Sequence, residues 1–223
     1  MLVYGKNVLK ELLDNNINIK KAFIYKNNKN LDLLSKLKCE IKYLEKNELD
    51  KMVNGLHQGI ILDIEDYKYY DIDSLGEKIV MLDHIEDPHN LGAIIRTCLA
   101  AGIDSIIIPK DRSVLVNGTV MKTSAGFLSK IKIACETNLV NTIKHLKNKG
   151  YWVIGTDFDG TDYKELDYSG KIVIVIGNEG KGISKLVKEN CDFIATIPMK
   201  NNIESLNASV AASIIIFETV RKG

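Results

Sequence analysis

Short aliphatic runs alternate with segments of helical periodicity from residue 79 to the C-terminus. The aliphatic runs predict strands at Ile79–Leu82, Ser105–Ile108, Trp152–Gly155, Lys171–Ile176 and Phe193–Ile197. The segments between them predict helices at Leu91–Ala101, Asn138–Asn148, Ile183–Glu189 and Ala208–Val220. Strands that alternate with helices are typical of βαβ units, in which a parallel sheet is covered on both faces. We therefore predict an α/β fold here, with ligands bound beyond the carboxyl ends of the strands.

Residues 1–64 show a second, smaller α/β pattern. It begins with a short amphipathic helix over residues 6–15. Further elements are predicted at Ala22–Tyr25, Leu31–Leu37, Ile41–Leu44, Glu48–Val53 and Ile60–Ile64. Residues 65–78 are acidic and poor in aliphatic side chains, which favours a linker. We therefore predict a small domain at 1–64, an acidic linker at 65–78 and a larger domain at 79–223.

The net charge of +1 hides an uneven distribution along the chain. Residues 1–62 carry 11 lysines against 7 acidic residues, whereas residues 63–78 carry 2 lysines against 6 acidic residues. Residues 79–223 are nearly balanced, with 17 basic and 16 acidic residues. A basic first domain is compatible with phosphate contacts to a nucleic acid. A solvated lysine surface is the alternative interpretation of the same charges.

Several classes of protein are disfavoured by composition. No apolar run reaches the ~18 residues that a membrane span needs, and the N-terminus lacks the pattern of a signal peptide. The four cysteines lie far apart without a CxxC pair, which argues against a zinc site or a disulfide framework. We therefore expect a cytoplasmic protein.

The loop at residues 83–92 leads into a predicted helix that holds Arg96. Asn90 stands at a natural N-cap position. The chain has 27 lysines and only 3 arginines, so an arginine in mid-helix beside small residues indicates a use for the rigid guanidinium fork, with a salt-bridged core arginine as the alternative. The loop also holds potential metal ligands, namely Asp83, His84, Asp87 and His89. They straddle a proline turn without helical spacing, so we predict no metal site.

Two further loops follow predicted strands. Residues 177–182 contain three glycines, which allow a backbone to approach a ligand closely, although the spacing is that of neither a P-loop nor a GxGxxG motif. Glu179 in this loop suits a cation or a hydroxyl better than an anion. Residues 197–207 end with Ser205 and Asn207, both N-cap types. The last helix is apolar on nearly all sides, which predicts burial in the core or at a subunit interface.

The three loops, in this order, resemble the SpoU/TrmH family of RNA 2′-O-ribose methyltransferases of the SPOUT class. The resemblance rests on DPHNLGAIIRTCLAAG at residues 87–102, IVIVIGNEGKGIS at 172–184 and IPMKNNIESLNASVAASIIIFE at 197–218. It covers the chain from about residue 79 to the end. YGKNVLKELL at 4–13 and HQGI at 57–60 resemble the family's small substrate-binding domain, which is similar to certain ribosomal proteins.

This resemblance implies a homodimer with a trefoil knot, in which S-adenosylmethionine is the methyl donor. The residues that it implies for the cofactor pocket are Thr156, Ile176, Gly177, Asn178, Ile197, Met199 and Leu206. Those that it implies for the reactive site, across the dimer interface, are Asn90, Arg96, Glu179, Ser205 and Asn207. The first domain would contact RNA through Tyr4, Lys6, Lys20, Lys21 and His57, with a half-buried strand position as the alternative for Tyr4.

The resemblance favours a guanosine ribose of 23S ribosomal RNA as acceptor, with transfer RNA as the alternative. We prefer Arg96 as a ligand of the adjacent phosphate and a stabiliser of oxyanion charge, since a guanidinium stays protonated in proteins. A general-base role helped by Glu179 remains the second hypothesis. Two other functions compete with methyl transfer, namely a non-catalytic RNA-binding or ribosome-assembly protein and a nucleotide-phosphate enzyme. The second is disfavoured because the P-loop spacing is absent.

Overall fold

The computed structural model describes residues 1–178, 180–201 and 205–222. Its contacts divide the chain into two units. The first comprises Met1–Lys68 together with Val116–Ser129, and the second comprises Tyr69–Leu115 and Lys130–Gly223. Residues 116–129, which the sequence pattern assigns to the larger domain, therefore belong by their contacts to the first unit.

The first unit is a four-stranded sheet with short helices. Its elements are β1 (Leu2–Tyr4), α1 (Lys6–Asp14), β2 (Ile19–Tyr25), α2 (Leu31–Leu34), β3 (Glu40–Leu44), α3 (Lys46–Asp50), β4 (Ile60–Ile64) and α5 (Gly118–Thr123). The strand order is β1-β4-β2-β3, and only the β2–β3 pair is parallel. Helix α1 buries Val8, Leu9 and Leu12, which share one face of a 3.6-residue helix.

The second unit is built on a six-stranded sheet whose strand pairs are all parallel. Its elements are β5 (Lys78–Asp83), α4 (Pro88–Ala100), β6 (Ser105–Pro109), β7 (Lys132–Glu136), α6 (Leu139–Asn148), β8 (Trp152–Asp162), β9 (Ile172–Gly177), α7 (Lys185–Asn190), β10 (Phe193–Thr196) and α8 (Ala208–Lys222). The strand order is β10-β8-β9-β5-β6-β7. The predicted α/β fold with a parallel sheet is confirmed.

The sheet is buried by helices because its strands are apolar on both faces. Met81, Val173 and Val175 lie in one core cluster with side chains of α6 and α7. Val80 and Ile174 are also fully buried, and by strand alternation they face the other way. Helix α8 contacts β9 and packs against α4. The carboxyl ends of β5 and β9 thus lie side by side in the middle of the sheet.

Several features of the structure differ from the sequence prediction. The prediction omits β1, β7 and α5, and it ends β8 at Gly155 whereas the strand continues to Asp162. Ile72 and Leu75, in the predicted linker, pack against the core of the second unit. Helix α8 is not covered all round in this chain, since Val210 is 47% and Phe217 50% exposed. Within the part of the chain that the structure describes, no helix is long and apolar enough to cross a membrane.

Candidate functional site

An open groove lies beyond the carboxyl ends of β8, β9 and β10. It encloses about 610 Å³ of empty space, part of it open to solvent. All seven residues predicted for the cofactor pocket line it, namely Thr156, Ile176, Gly177, Asn178, Ile197, Met199 and Leu206. Ser205 lines the same groove. The structure therefore brings together residues from three separate segments of the sequence, namely β8, the end of β9 with the turn after it, and residues 197–206.

The groove also has lining residues that the sequence analysis missed. They are Asp157, Phe158, Gly182, Ala195, Thr196, Ala208 and Ala211. Asp157 and Phe158 belong to the extension of β8 beyond Gly155, and Phe158 is exposed. The run DFDG at 157–160 is the signal that marks this extension, because an aromatic side chain there stands between acidic residues at a strand end.

The turn at residues 177–182 forms one wall of the groove and is closed by its own backbone. The Asn178 amide donates to the Gly182 carbonyl at 3.1 Å, and the Gly182 amide donates to the Asn178 carbonyl at 2.8 Å. Gly177 has no room for a side chain, since a Cβ there would lie 2.1 Å from the Gly182 carbonyl carbon. Glycine is therefore required at position 177 by the turn itself, and the close approach of a ligand to this backbone stays a prediction.

A buried carboxylate supports this turn through hydrogen bonds. Asp83, at the end of β5, is 1% exposed, and its Oδ2 accepts from the Ser184 amide at 2.6 Å. Its Oδ1 pairs with Nδ1 of His84. Asn178 Nδ2 in turn donates to the His84 carbonyl at 3.1 Å. Both ends of the glycine turn are thus tied to residues 83 and 84.

Asn90 and Asn207 are brought together although 117 positions separate them. Asn207 Nδ2 donates to Asn90 Oδ1 at 3.0 Å, and Asn90 is buried. The expectation that Asn90 caps its helix is wrong, because Asp87 is the N-cap of α4 and Pro88 occupies the first turn. Asn207 does cap α8, since its Oδ1 accepts from the Ser209 amide at 3.0 Å. The Asn90 side chain therefore links α4 to the residue that caps α8.

Arg96 lies on α4 with its side chain exposed. Among the residues that the structure describes, none forms a hydrogen bond or an ion pair with its guanidinium, and Arg96 does not line the groove. The alternative of a salt-bridged core arginine is therefore wrong for this chain. Glu179, the fifth residue predicted for the reactive site, lies outside the described residues.

The predicted RNA contacts of the first unit fall into two groups. Lys6 and Lys20 are exposed, and Lys21 is paired with Glu40. Tyr4 is 4% exposed and bonds through its hydroxyl to Thr119 and to the Asn54 carbonyl. His57 is 6% exposed and is held by Asp50. The rings of Tyr4 and His57 therefore belong to the core of this unit. For Tyr4 this agrees with the alternative of a buried strand position, and no face of its ring is exposed for stacking on a base.

Cysteine and metal chemistry have no support within the described residues. Burial raises the pKa of the Cys191 thiol to about 12, and burial also raises the pKa values of Cys39, Cys98 and Cys135. These thiols are protonated at neutral pH and are poor nucleophiles. No group of three or more potential metal ligands occurs among the residues described. Asp83 and His84 pair with each other instead.

Known proteins resemble both units. The family model "SpoU rRNA Methylase family" matches residues 77–217, and the model "RNA 2'-O ribose methyltransferase substrate binding" matches residues 2–70. A Staphylococcus saprophyticus protein named as a TrmH family tRNA/rRNA methyltransferase is 40% identical over 238 residues, which cover 100% of this chain and 96% of that protein.

Two solved structures have the same fold. AviRb from Streptomyces viridochromogenes, in complex with AdoMet, has a TM-score of 0.86 at 22% identity and covers 99% of this chain and 89% of its own. An AdoMet-bound rRNA methyltransferase from Sinorhizobium meliloti has a TM-score of 0.82 at 26% identity. The match covers 99% of this chain and 86% of that one. With the groove, the closed glycine turn and both family models in agreement, the chain belongs to the SpoU/TrmH family of RNA methyltransferases.

Proposed function

We propose that this protein transfers a methyl group from S-adenosylmethionine to a ribose 2′-hydroxyl of RNA. The observation that carries the proposal is the groove, where the seven residues that the family resemblance implies for the cofactor pocket line one space. Ile197 and Leu206, which are half-buried, offer an apolar surface for an adenine ring, and Gly177 exposes backbone beside it. The two AdoMet-bound neighbours support the same ligand. The bound sulfonium supplies the methyl group, and the protein aligns the acceptor oxygen with it.

The acceptor that we propose is a guanosine ribose of 23S ribosomal RNA. The substrate-binding model over residues 2–70 and the excess of lysine in residues 1–62 support RNA binding by the first unit. Exposed Lys6 and Lys20 are our candidates for phosphate contacts. Transfer RNA remains the alternative acceptor, since the relatives are named for both RNA classes.

The reactive groups that we propose are Arg96, the Asn90–Asn207 pair and Ser205, together with Glu179. Arg96 binds the phosphate beside the acceptor ribose and stabilises negative charge on the attacking oxygen. The hydrogen bond between Asn90 and Asn207 joins α4 to the loop that carries Ser205, so it sets the position of Ser205 at the groove. A general-base role for Arg96 with Glu179 is the competing mechanism.

We also propose that the enzyme is a homodimer in which each groove receives Arg96 of the other protomer. Arg96 does not line the groove of its own chain, yet its guanidinium is exposed. Val210 and Phe217 lie seven residues apart on α8, which places two exposed apolar side chains on one helix face. Such a face is suited to a second copy. The trefoil knot stays a prediction from the family resemblance.

Replacing Phe217 with aspartate tests the dimer. We expect the variant to become monomeric and to lose methyl transfer, because a charge on an apolar interface is costly to bury. Light scattering measures the molar mass, and thermal unfolding reports whether the subunit is folded. Tyr43→Asp, at an equally exposed aromatic position of the first unit, serves as the control. A Phe217→Asp dimer with wild-type activity would contradict the proposed interface.

Incubation with methyl-labelled S-adenosylmethionine and separate ribosomal and transfer RNA transcripts tests the function itself. We expect label in one RNA class, at one ribose, which reverse transcription at low nucleotide concentration locates. Calorimetric titration with the cofactor alone separates this function from a non-catalytic RNA-binding role. RNA binding without cofactor binding would favour the non-catalytic alternative and overturn our proposal.

Asp83→Asn tests whether the buried carboxylate positions the cofactor turn. The amide retains one acceptor oxygen but turns an NH₂ group toward one of two donors, the Ser184 amide or His84 Nδ1. A buried unsatisfied group costs about 1–3 kcal/mol, so we expect the affinity for S-adenosylmethionine to fall about tenfold. Titration calorimetry measures the Kd. Asp87→Asn is the matched control, because asparagine caps a helix as well as aspartate; equal Kd values for the two variants would refute the role of Asp83.

A further inference from the structure

A second groove lies on the other side of the glycine turn, within the second unit. It encloses about 1250 Å³ of empty space, part of it open to solvent, and its wall includes Asn178 and Gly182, which also line the cofactor groove. The remaining wall comes from the end of β5 and the loop after it, from the loop after β6 and from the segment after the turn, namely Asp83, His84, Glu86, Arg112, Lys181, Ser184, Lys185 and Leu186. The turn that we assign to the cofactor is therefore shared by two adjoining grooves.

Three exposed cations line this second groove, namely Arg112, Lys181 and Lys185. In the described part of the chain, Arg112 and Lys181 have neither an ion pair nor a side-chain hydrogen bond. Lys185 has one long contact, 3.9 Å to Glu189, between two well-exposed side chains, which contributes little. Among the residues that the structure describes, the acidic side chains that line the groove are Glu86, which is exposed, and Asp83, whose oxygens are already bonded to His84 and to the Ser184 amide. Counted over these described residues, the groove therefore has an excess of positive charge at its rim.

The groove is held in shape by bonds between the loops that form it. Ser113 Oγ and the Val114 amide both donate to the Ile85 carbonyl, at 3.1 and 2.9 Å, which fixes the loop of Arg112 beside residues 84 and 85. His84 bonds through Nδ1 to the buried Asp83 carboxylate, and this carboxylate accepts the Nδ1 hydrogen. Nε2 of His84 is consequently the ring nitrogen that remains available to a ligand in the groove.

We propose that this second groove binds the phosphodiester backbone of the acceptor RNA, an inference that rests on the proposed function. A ribose that reaches the methyl donor in the first groove brings its neighbouring phosphates past the shared glycine turn. Arg112 offers a fork that matches two phosphate oxygens, and Lys181 offers a point charge. His84 Nε2 is an acceptor because Nδ1 carries the ring hydrogen, so it can accept from a ribose hydroxyl between the phosphates, and Asp83 keeps the ring in place. The RNA strand thus crosses from the cofactor groove into the cationic groove.

The test is the full-length double variant Arg112→Gln/Lys181→Gln. Fluorescence anisotropy gives its affinity for a 23S ribosomal RNA fragment and for a transfer RNA transcript at several salt concentrations. We expect RNA affinity to fall at least tenfold for the methylated class. The slope of log affinity against log salt should decrease by about 1.4 to 1.8, because each lost phosphate contact accounts for about 0.7 to 0.9. The affinity for S-adenosylmethionine, measured by calorimetry, should stay at the wild-type value.

Lys144→Gln/Lys171→Gln is the matched control, since both lysines are exposed and lie in the second unit outside the groove. We expect this control to keep the wild-type affinity and nearly the wild-type salt slope. Wild-type RNA affinity in the Arg112/Lys181 variant, an equal loss in the control, or no binding of either RNA by the wild type would overturn the inference. If the wild-type enzyme methylates no RNA, the proposed function is contradicted. A loss of RNA binding in the Arg112/Lys181 variant would still support the RNA groove in that case.

Discussion

Arg96→Ala is expected to abolish methyl transfer while S-adenosylmethionine binds as well as it does to the wild type. Arg96 is exposed, has no partner in the described structure and does not line the cofactor groove, so its loss removes no contact that holds the subunit or the groove together. Removing one group that stabilises charge in a transition state typically costs about 10²–10³ in rate. Single-turnover transfer of labelled methyl to RNA measures the rate, and calorimetry measures the cofactor Kd.

Arg96→Lys provides the matched control for charge. Lysine keeps the positive charge but not the planar fork, so we expect it to restore only a small part of the rate. Full recovery with lysine would show that a point charge is enough and would favour simple phosphate attraction. An alanine variant that methylates RNA at the wild-type rate would remove Arg96 from the reactive site.

Gly177→Ala is expected to abolish cofactor binding. The added Cβ would lie 2.1 Å from the Gly182 carbonyl carbon and 2.3 Å from the Ile183 amide nitrogen, and both are backbone atoms that cannot rotate away. The turn must therefore open, which removes one wall of the groove. We expect at least a 100-fold loss of S-adenosylmethionine affinity, or about 2.8 kcal/mol, in calorimetric titration.

Gly180→Ala is the control within the same turn. Its Cβ would meet only Asn178 Oδ1, at 3.6 Å, which is an ordinary contact. We expect this variant to bind the cofactor normally. Thermal unfolding of both variants separates a local opening of the turn from a general loss of stability. Wild-type affinity in Gly177→Ala would mean that the turn is not a wall of the cofactor site.

The parallel sheet was predictable because its central strands are buried on both faces. Such strands appear as unbroken apolar runs, as in Ile172–Ile176. Strand β7 was missed because Lys132 and Glu136 flank a short run at the edge of the sheet. The membership of residues 116–129 in the first unit was not predictable from local pattern. It depends on contacts far apart in sequence, such as the close approach of Gly118 to the Leu2 carbonyl.

Much of the candidate site was predictable from motifs, but the partners of its residues were not. The family resemblance indicates Asn90 and Asn207, and only the fold shows that their side chains are bonded to each other. Asp83 is a second example. Its sequence position beside His84 made it a potential metal ligand, although we predicted no metal site there. Its burial and its bond to the Ser184 amide instead indicate a support for the glycine turn. Burial and long-range pairing are properties of the packed chain.

A crystal structure of the wild-type protein with S-adenosylmethionine tests the central claim most directly. The result that we expect is cofactor density in the groove beyond β8, β9 and β10, with backbone atoms of residues 176–178 in contact with it and Arg96 of a second protomer at its methyl group. Cofactor density at another surface, or a groove that stays empty at saturating cofactor, would contradict it.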